Sequence, residues 1–137
     1  MSLETYYKDH WVEIEPDRLD RYEDQFVWGE RGNRLLEPAE IEAGQSVADY
    51  GCGPGYVSME LARRVGPEGH VHSFDINADF VTRTREKLTA EGLDGRVTVT
   101  HLERDMLPLE DDVLDRLVIK NVMVYVEDPL ASFKEFR

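Results

Sequence analysis

Three glycines and three aspartates are spaced in this chain as if to hold a nucleoside-bearing ligand. Gly51, Gly53 and Gly55 punctuate the stretch Val47-Ala48-Asp49-Tyr50-Gly51-Cys52-Gly53-Pro54-Gly55-Tyr56. Glycine has no Cβ, so such a turn takes backbone angles closed to other residues and leaves room for a bulky group beside the chain. A helix that starts there offers unpaired N–H groups. Asp49 lies beside the turn, and Asp75 stands twenty positions beyond Gly55, the separation expected of a carboxylate that accepts from two ribose hydroxyls. Asp105 then suits an adenine amino group, with the Met106 backbone N–H facing a ring nitrogen and Ile76 packing on the base. Taken singly, each acid has a plainer explanation, because Asp after a strand often caps the next helix or turn. Their shared order beside a glycine turn makes the ligand reading the stronger one.

The elements that must position these residues follow from periodicity. Residues 46–50 read as a buried strand, and Val57, Leu61, Ala62 and Val65 fall at helical spacing after the turn. Gly66-Pro67-Glu68-Gly69 breaks the chain before a second strand from His70 to Phe74, closed by Asp75. Asn77 is placed to cap a helix with Phe80, Val81, Thr84 and Leu88 on its apolar face, and Gly92 to stop it. A third strand spans Arg96 to Leu102 and a fourth lies near Asp115 to Lys120, with Asp128-Pro129 opening another helix. Strands alternating with helices predict an α/β parallel sheet with right-handed crossovers. Acids at the carboxyl ends of such strands stand where open sheets bind ligands.

The first forty residues read as helical and aromatic-rich, with Leu19, Tyr22 and Phe26 on one face. They are expected to form an N-terminal helical layer over residues 1–43, serving as packing, as a lid, or as both. Residues 44–137 are expected to form a Rossmann-like cofactor-binding domain.

Composition narrows the function. A net charge of −13 argues against nucleic acid as the main partner, since phosphate neutralisation needs clustered Lys and Arg. The single cysteine, Cys52, excludes an internal disulfide and suits a reducing cytoplasm, and the scattered histidines do not argue for a metal site. No apolar run approaches the roughly twenty residues of a membrane span, so a soluble, cytoplasmic protein is expected.

Asp49-Tyr50-Gly51-Cys52-Gly53-Pro54-Gly55 resembles the D-x-G-x-G-x-G motif of class I S-adenosylmethionine-dependent methyltransferases. The resemblance extends through Phe74-Asp75-Ile76-Asn77, Asp105-Met106 and Leu117 to Met123, and Asp128-Pro129 to Arg137 resembles the following helix in the ubiquinone/menaquinone-biosynthesis-like branch. It implies S-adenosyl-L-methionine as cofactor, S-adenosyl-L-homocysteine as product and a small-molecule methyl acceptor. Gly51, Gly53 and Gly55 would surround the methionine part, with Cys52 as a small residue fitting the turn. Asp49 would stand near the amino group and Asp75 on the ribose. Ile76, Asp105 and Met106 would meet the adenine, and Lys120 or Asn121 would offer a backbone carbonyl to the ammonium. Methyl transfer is an in-line displacement that needs alignment more than a protein nucleophile. Tyr6, Tyr7, His10 and Tyr125 are the candidates for a base or an acceptor-orienting group.

A nicotinamide dinucleotide is the nearest rival cofactor. Its fingerprint wants G-x-G-x-x-G, whereas Tyr56 follows Gly55 and the third glycine comes one residue early. Pro54 also removes an N–H that could face a pyrophosphate. By the family's strand order the four strands would lie 3-2-1-4. The family's strands five to seven would then be absent, so the chain reads as truncated after the helix that follows strand four. That leaves strand four as an apolar edge through which a homodimer could form, or else a cofactor-binding module without catalysis.

Overall fold

The computed structural model describes residues 11–26, 28–104, 106–122 and 128–136. Its centre is a parallel sheet of β1 (Ser46–Tyr50), β2 (His70–Asp75), β3 (Val97–His101) and β4 (Arg116–Ile119) in the order β3-β2-β1-β4. Register runs Asp49 opposite Ser73 and Val118, and Asp75 opposite His101, so the strands end together at one edge. The helices are α1 (Pro16–Asp24), α2 (Glu30–Leu36), α3 (Tyr56–Val65), α4 (Ala78–Ala90) and α5 (Pro129–Glu135). The expected order 3-2-1-4 is the observed one. Strand three begins one residue later than the sequence suggests, because Asp94–Arg96 forms a short 3₁₀ turn first.

Alternation along each strand builds a core on either side of the sheet. Val47, Val71, Val97 and Val99 meet Leu61, Ala62 and Val65 of α3 and Val81 and Leu88 of α4. On the reverse face Ala48, Tyr50 and Phe74 meet Leu107, Leu109, Leu117 and Ile119, with the Phe136 ring edge-on to Tyr50 at 5.3 Å. Fully burying a Val, Leu or Phe side chain, as at Val47, Leu61 and Phe74, contributes roughly 1.5–3 kcal/mol before chain entropy is subtracted.

Local signals set the helix boundaries. The Asn77 side chain accepts from the Phe80 N–H at 2.9 Å and caps α4, while Gly92 at φ 68° follows its last turn. Asp128 accepts from the Ala131 N–H at 3.0 Å, with Pro129 starting α5. Leu19 is buried, and the Tyr22 and Phe26 rings meet at a tilt with centres 4.8 Å apart.

Candidate cofactor cleft

At the carboxyl edge of the sheet two contiguous cavities open beside the glycine turn, sharing Tyr22, Gly51, Gly53, Lys120 and Asn121. The first runs past Asp75, Ile76 and Leu102 to Phe80 and Trp11. The second reaches Asp49, Cys52, Pro54 and Tyr56 under Phe26.

Hydrogen bonds fix the turn from below and from the side. The N–H groups of Gly51 and Cys52 both donate to the Phe74 carbonyl at 2.8 Å, tying the end of β1 to that of β2. From α4, the Thr84 hydroxyl donates to the Gly53 carbonyl at 2.9 Å and the Lys87 ammonium to the Pro54 carbonyl at 2.9 Å. All three glycines have positive φ, at 79°, 52° and 93°. Their surroundings differ. A Cβ on Gly51 would collide with Val122, and one on Gly55 would lie 2.7 Å from Thr84, so at both positions the room expected for a ligand is filled by the protein. At Gly53 an added Cβ would meet nothing within 4 Å, and this glycine alone of the three leaves open space at the cleft.

Asp75 is nearly buried at the end of β2. One carboxylate oxygen accepts from the Gly53 N–H and the other from the Asn77 N–H, both at 2.8 Å. Burial raises its pKa, with those backbone hydrogen bonds pulling the other way. Each oxygen keeps a lone pair for a ligand hydroxyl. Asp49 is wholly enclosed and accepts from the Ser58 hydroxyl at 2.6 Å, and Ser58 lies 2.7 Å from Ser73. Burial pushes the Asp49 pKa up to about 7, opposed by Ser58, raised further by Asp75 and lowered by Lys120.

The amino-terminal layer covers the cleft. Trp11 meets Tyr22 edge-on at 5.3 Å, Tyr22 meets Phe80 at 5.6 Å, and the Phe26 and Tyr56 rings are parallel at 6.1 Å. The Asn77 amide donates to the Trp11 carbonyl at 3.0 Å. Arg83 pairs with Asp20 and Glu23 at 2.7 Å, and Lys87 pairs with Glu23. Glu23 is partly buried, which alone would raise its pKa, but hydrogen bonds from Lys87 and Arg83 lower it on balance.

Of the residues singled out from sequence, Asp75, Ile76, Gly51, Gly53, Lys120 and Asn121 line the first cavity, while Asp49 and Cys52 line the second. Gly55 lies behind the turn as the cap of α3. Met106 is outside the lining, and its N–H donates to the Arg104 carbonyl at 2.8 Å. Asp105, Tyr6, Tyr7, His10 and Tyr125 lie outside the described residues. Phe80 and Leu102 look like ordinary core residues in sequence. Ser58 and Ser73 carry the one available signal, as polar residues on faces otherwise apolar.

A family model for the methyltransferase domain matches residues 41–137. The chain belongs to the class I S-adenosylmethionine-dependent methyltransferase family. Within it, the chain is 30% identical over 101 residues to the ubiquinone/menaquinone biosynthesis C-methyltransferase UbiE of Xylella fastidiosa (strain M23), over 74% of this chain and 40% of that protein. A protein-L-isoaspartate O-methyltransferase of Methanothermobacter thermautotrophicus is 29% identical over 98 residues, covering 72% of this chain and 45% of the relative. The chain therefore spans less than half the length of these curated relatives. Among solved structures, an S-adenosylmethionine-dependent methyltransferase from Aquifex aeolicus superposes with TM-score 0.76 at 24% identity, over 90% of this chain and 66% of that one. The [4+2]-cyclase SpnF superposes with TM-score 0.70 at 20% identity, over 82% of this chain and 42% of that one. Both likenesses are of fold.

Proposed function

We propose that this chain binds S-adenosyl-L-methionine in the cleft and takes part in methyl transfer to a small-molecule acceptor, releasing S-adenosyl-L-homocysteine. The observation that carries the reading is Asp75, a carboxylate held by two backbone N–H groups at the cleft wall. Gly53 fits the same ligand, since its missing side chain leaves the cleft open there. Asp75 would accept from the ribose hydroxyls, with Ile76 and Leu102 against the base and Asp105 near its amino group. The turn around Gly51, Cys52 and Gly53 would border the methionine part. Asp49 would favour its ammonium, and a Lys120 or Asn121 carbonyl would accept from it. When bound, the cofactor supplies an electrophilic methyl carbon on a sulfonium. The protein contributes alignment and exclusion of water. Tyr6, Tyr7, His10 and Tyr125 are the candidates for orienting or deprotonating the acceptor.

Among the described residues no helix is long and apolar enough to cross a membrane, and no group of acids, histidines and cysteine could hold a metal. A cytoplasmic enzyme suits the single buried thiol. Titration calorimetry of the folded chain with S-adenosyl-L-homocysteine tests the reading. Saturable one-site binding is expected, and no heat with a folded sample overturns it. A second reading, a cofactor-binding module without catalysis that completes its sheet by dimerising, is favoured by β4, which pairs with β1 alone among the described residues.

A further inference from the structure

Among the described residues lining the cleft, Asp49 and Asp75 are the acids and a single cation accompanies them. Lys120 is the one cation among the described residues lining either cavity, and it lines both. In a chain of net charge −13, an anionic ligand is repelled unless a local cation offsets the field. Lys120 is built to be that cation. Its Nζ lies 5.0 Å from the centre of the Phe26 ring, a contact that positions the ammonium without neutralising it.

The two nearby acids are committed elsewhere. Asp49 takes the Ser58 hydroxyl, and the Asp75 oxygens take the Gly53 and Asn77 N–H groups. Lys120 draws the Asp49 carboxyl downward in pKa, yet among the described residues it has no ion pair. Lys87, on the far side of the turn, makes the contrast: its charge is taken up by Glu23, the Pro54 carbonyl and the Tyr56 ring. An ammonium lining both cavities, set on an aromatic face and without an ion-pair partner among the described residues, is complementary to a ligand's negative group.

We propose that the Lys120 ammonium anchors a carboxylate where the two cavities meet. The carboxylate belongs either to the amino-acid end of the S-adenosyl ligand or to the methyl acceptor, and the first source rests on the function proposed above. Three probes separate the sources: S-adenosyl-L-homocysteine, which carries the carboxylate; 5′-methylthioadenosine, which lacks it; and benzoate added to protein loaded with 5′-methylthioadenosine. Calorimetry would compare wild type with K120M and K120R, using K120Q with the same criteria should K120M not fold. For the cofactor source, K120M weakens S-adenosyl-L-homocysteine at least 10-fold and 5′-methylthioadenosine less than 2-fold, and K120R restores most of the loss. For the acceptor source, both nucleosides bind unchanged and benzoate binding is lost. Unchanged affinity for all three probes overturns the proposal, as does equal weakening of both nucleosides. If wild type binds neither nucleoside, the cofactor reading fails by itself. Benzoate titrated into the unliganded chain then decides on Lys120, and no Lys120-dependent binding overturns it.

Discussion

Asp49 and Asp75 project from neighbouring strands toward the same face of the sheet, yet they are held in opposite ways. Asp75 has backbone N–H donors on both oxygens, whereas Asp49 has one serine and no solvent. Removing the Asp75 carboxylate leaves two N–H groups without acceptors and deletes a charged acceptor from the cleft. D75A is expected to weaken S-adenosyl-L-homocysteine roughly 10- to 100-fold by calorimetry. Asp49 instead contributes a pH dependence of its own. Its folded pKa, near 7, lies above its ordinary value of 3.8, so the folded state holds a proton that the unfolded chain releases. That contribution to stability is fully present below pH 3.8 and is lost progressively as pH rises to about 7. D49N should therefore flatten the fall in melting temperature across this window. A cationic ligand favours the ionised form, so wild-type affinity for S-adenosyl-L-methionine should rise with pH through 7, and D49N should remove the rise. Both acids were legible in the sequence because strand ends and glycine spacing mark them. Ser58 and Ser73 were marked only by their polarity, and the wall residues Phe80 and Leu102 were not marked at all, since one-dimensional periodicity does not distinguish a side chain facing a core from one facing a cavity.

The glycine turn is held as much by α4 and α1 as by the strands that flank it. Thr84 and Lys87, three residues apart on α4, each grip a carbonyl of the turn, and Lys87 together with Arg83 fastens α1 through Glu23. E23A should lower the melting temperature by roughly 3–5 °C, a loss near 1 kcal/mol for a partly buried pair in a chain of this size. It should also weaken nucleoside binding, because Tyr22 and Phe26 of the cover lose their tether. The glycines offer a sharper contrast. G51A combines a left-handed backbone with a collision against Val122 and should cost more than about 3 kcal/mol in denaturant unfolding. G53A carries only the backbone penalty, about 1 kcal/mol, yet places a methyl group in the cleft, so its ligand affinity should fall out of proportion to its stability. The helices and strands themselves were legible because caps, breakers and apolar periods agree at each boundary. The salt bridges joining α1 to α4 were not, because they link residues some sixty positions apart.

At the scale of the whole molecule, the sheet order follows from handedness and the family pattern, and the acids then fall together at one edge without further design. Fold alone does not set the chemistry carried out at that edge. Among the described residues β4 pairs with β1 alone, so its outer backbone edge is open there, while Leu117 and Ile119 pack on the reverse-face core. If two copies complete the sheet there, light scattering should give twice the 15.8 kDa chain mass. A monomer that persists at high concentration rules out the paired arrangement. The grip of Lys87 on cover, turn and ring has a chemical consequence as well. An amine engaged with Glu23, the Pro54 carbonyl and the Tyr56 ring is a poor nucleophile toward acylating reagents, unlike Lys134 on the surface of α5. Lys87 should therefore label more slowly than Lys134, read by mass spectrometry, and E23A, which removes its ion-pair partner, should raise the Lys87 rate.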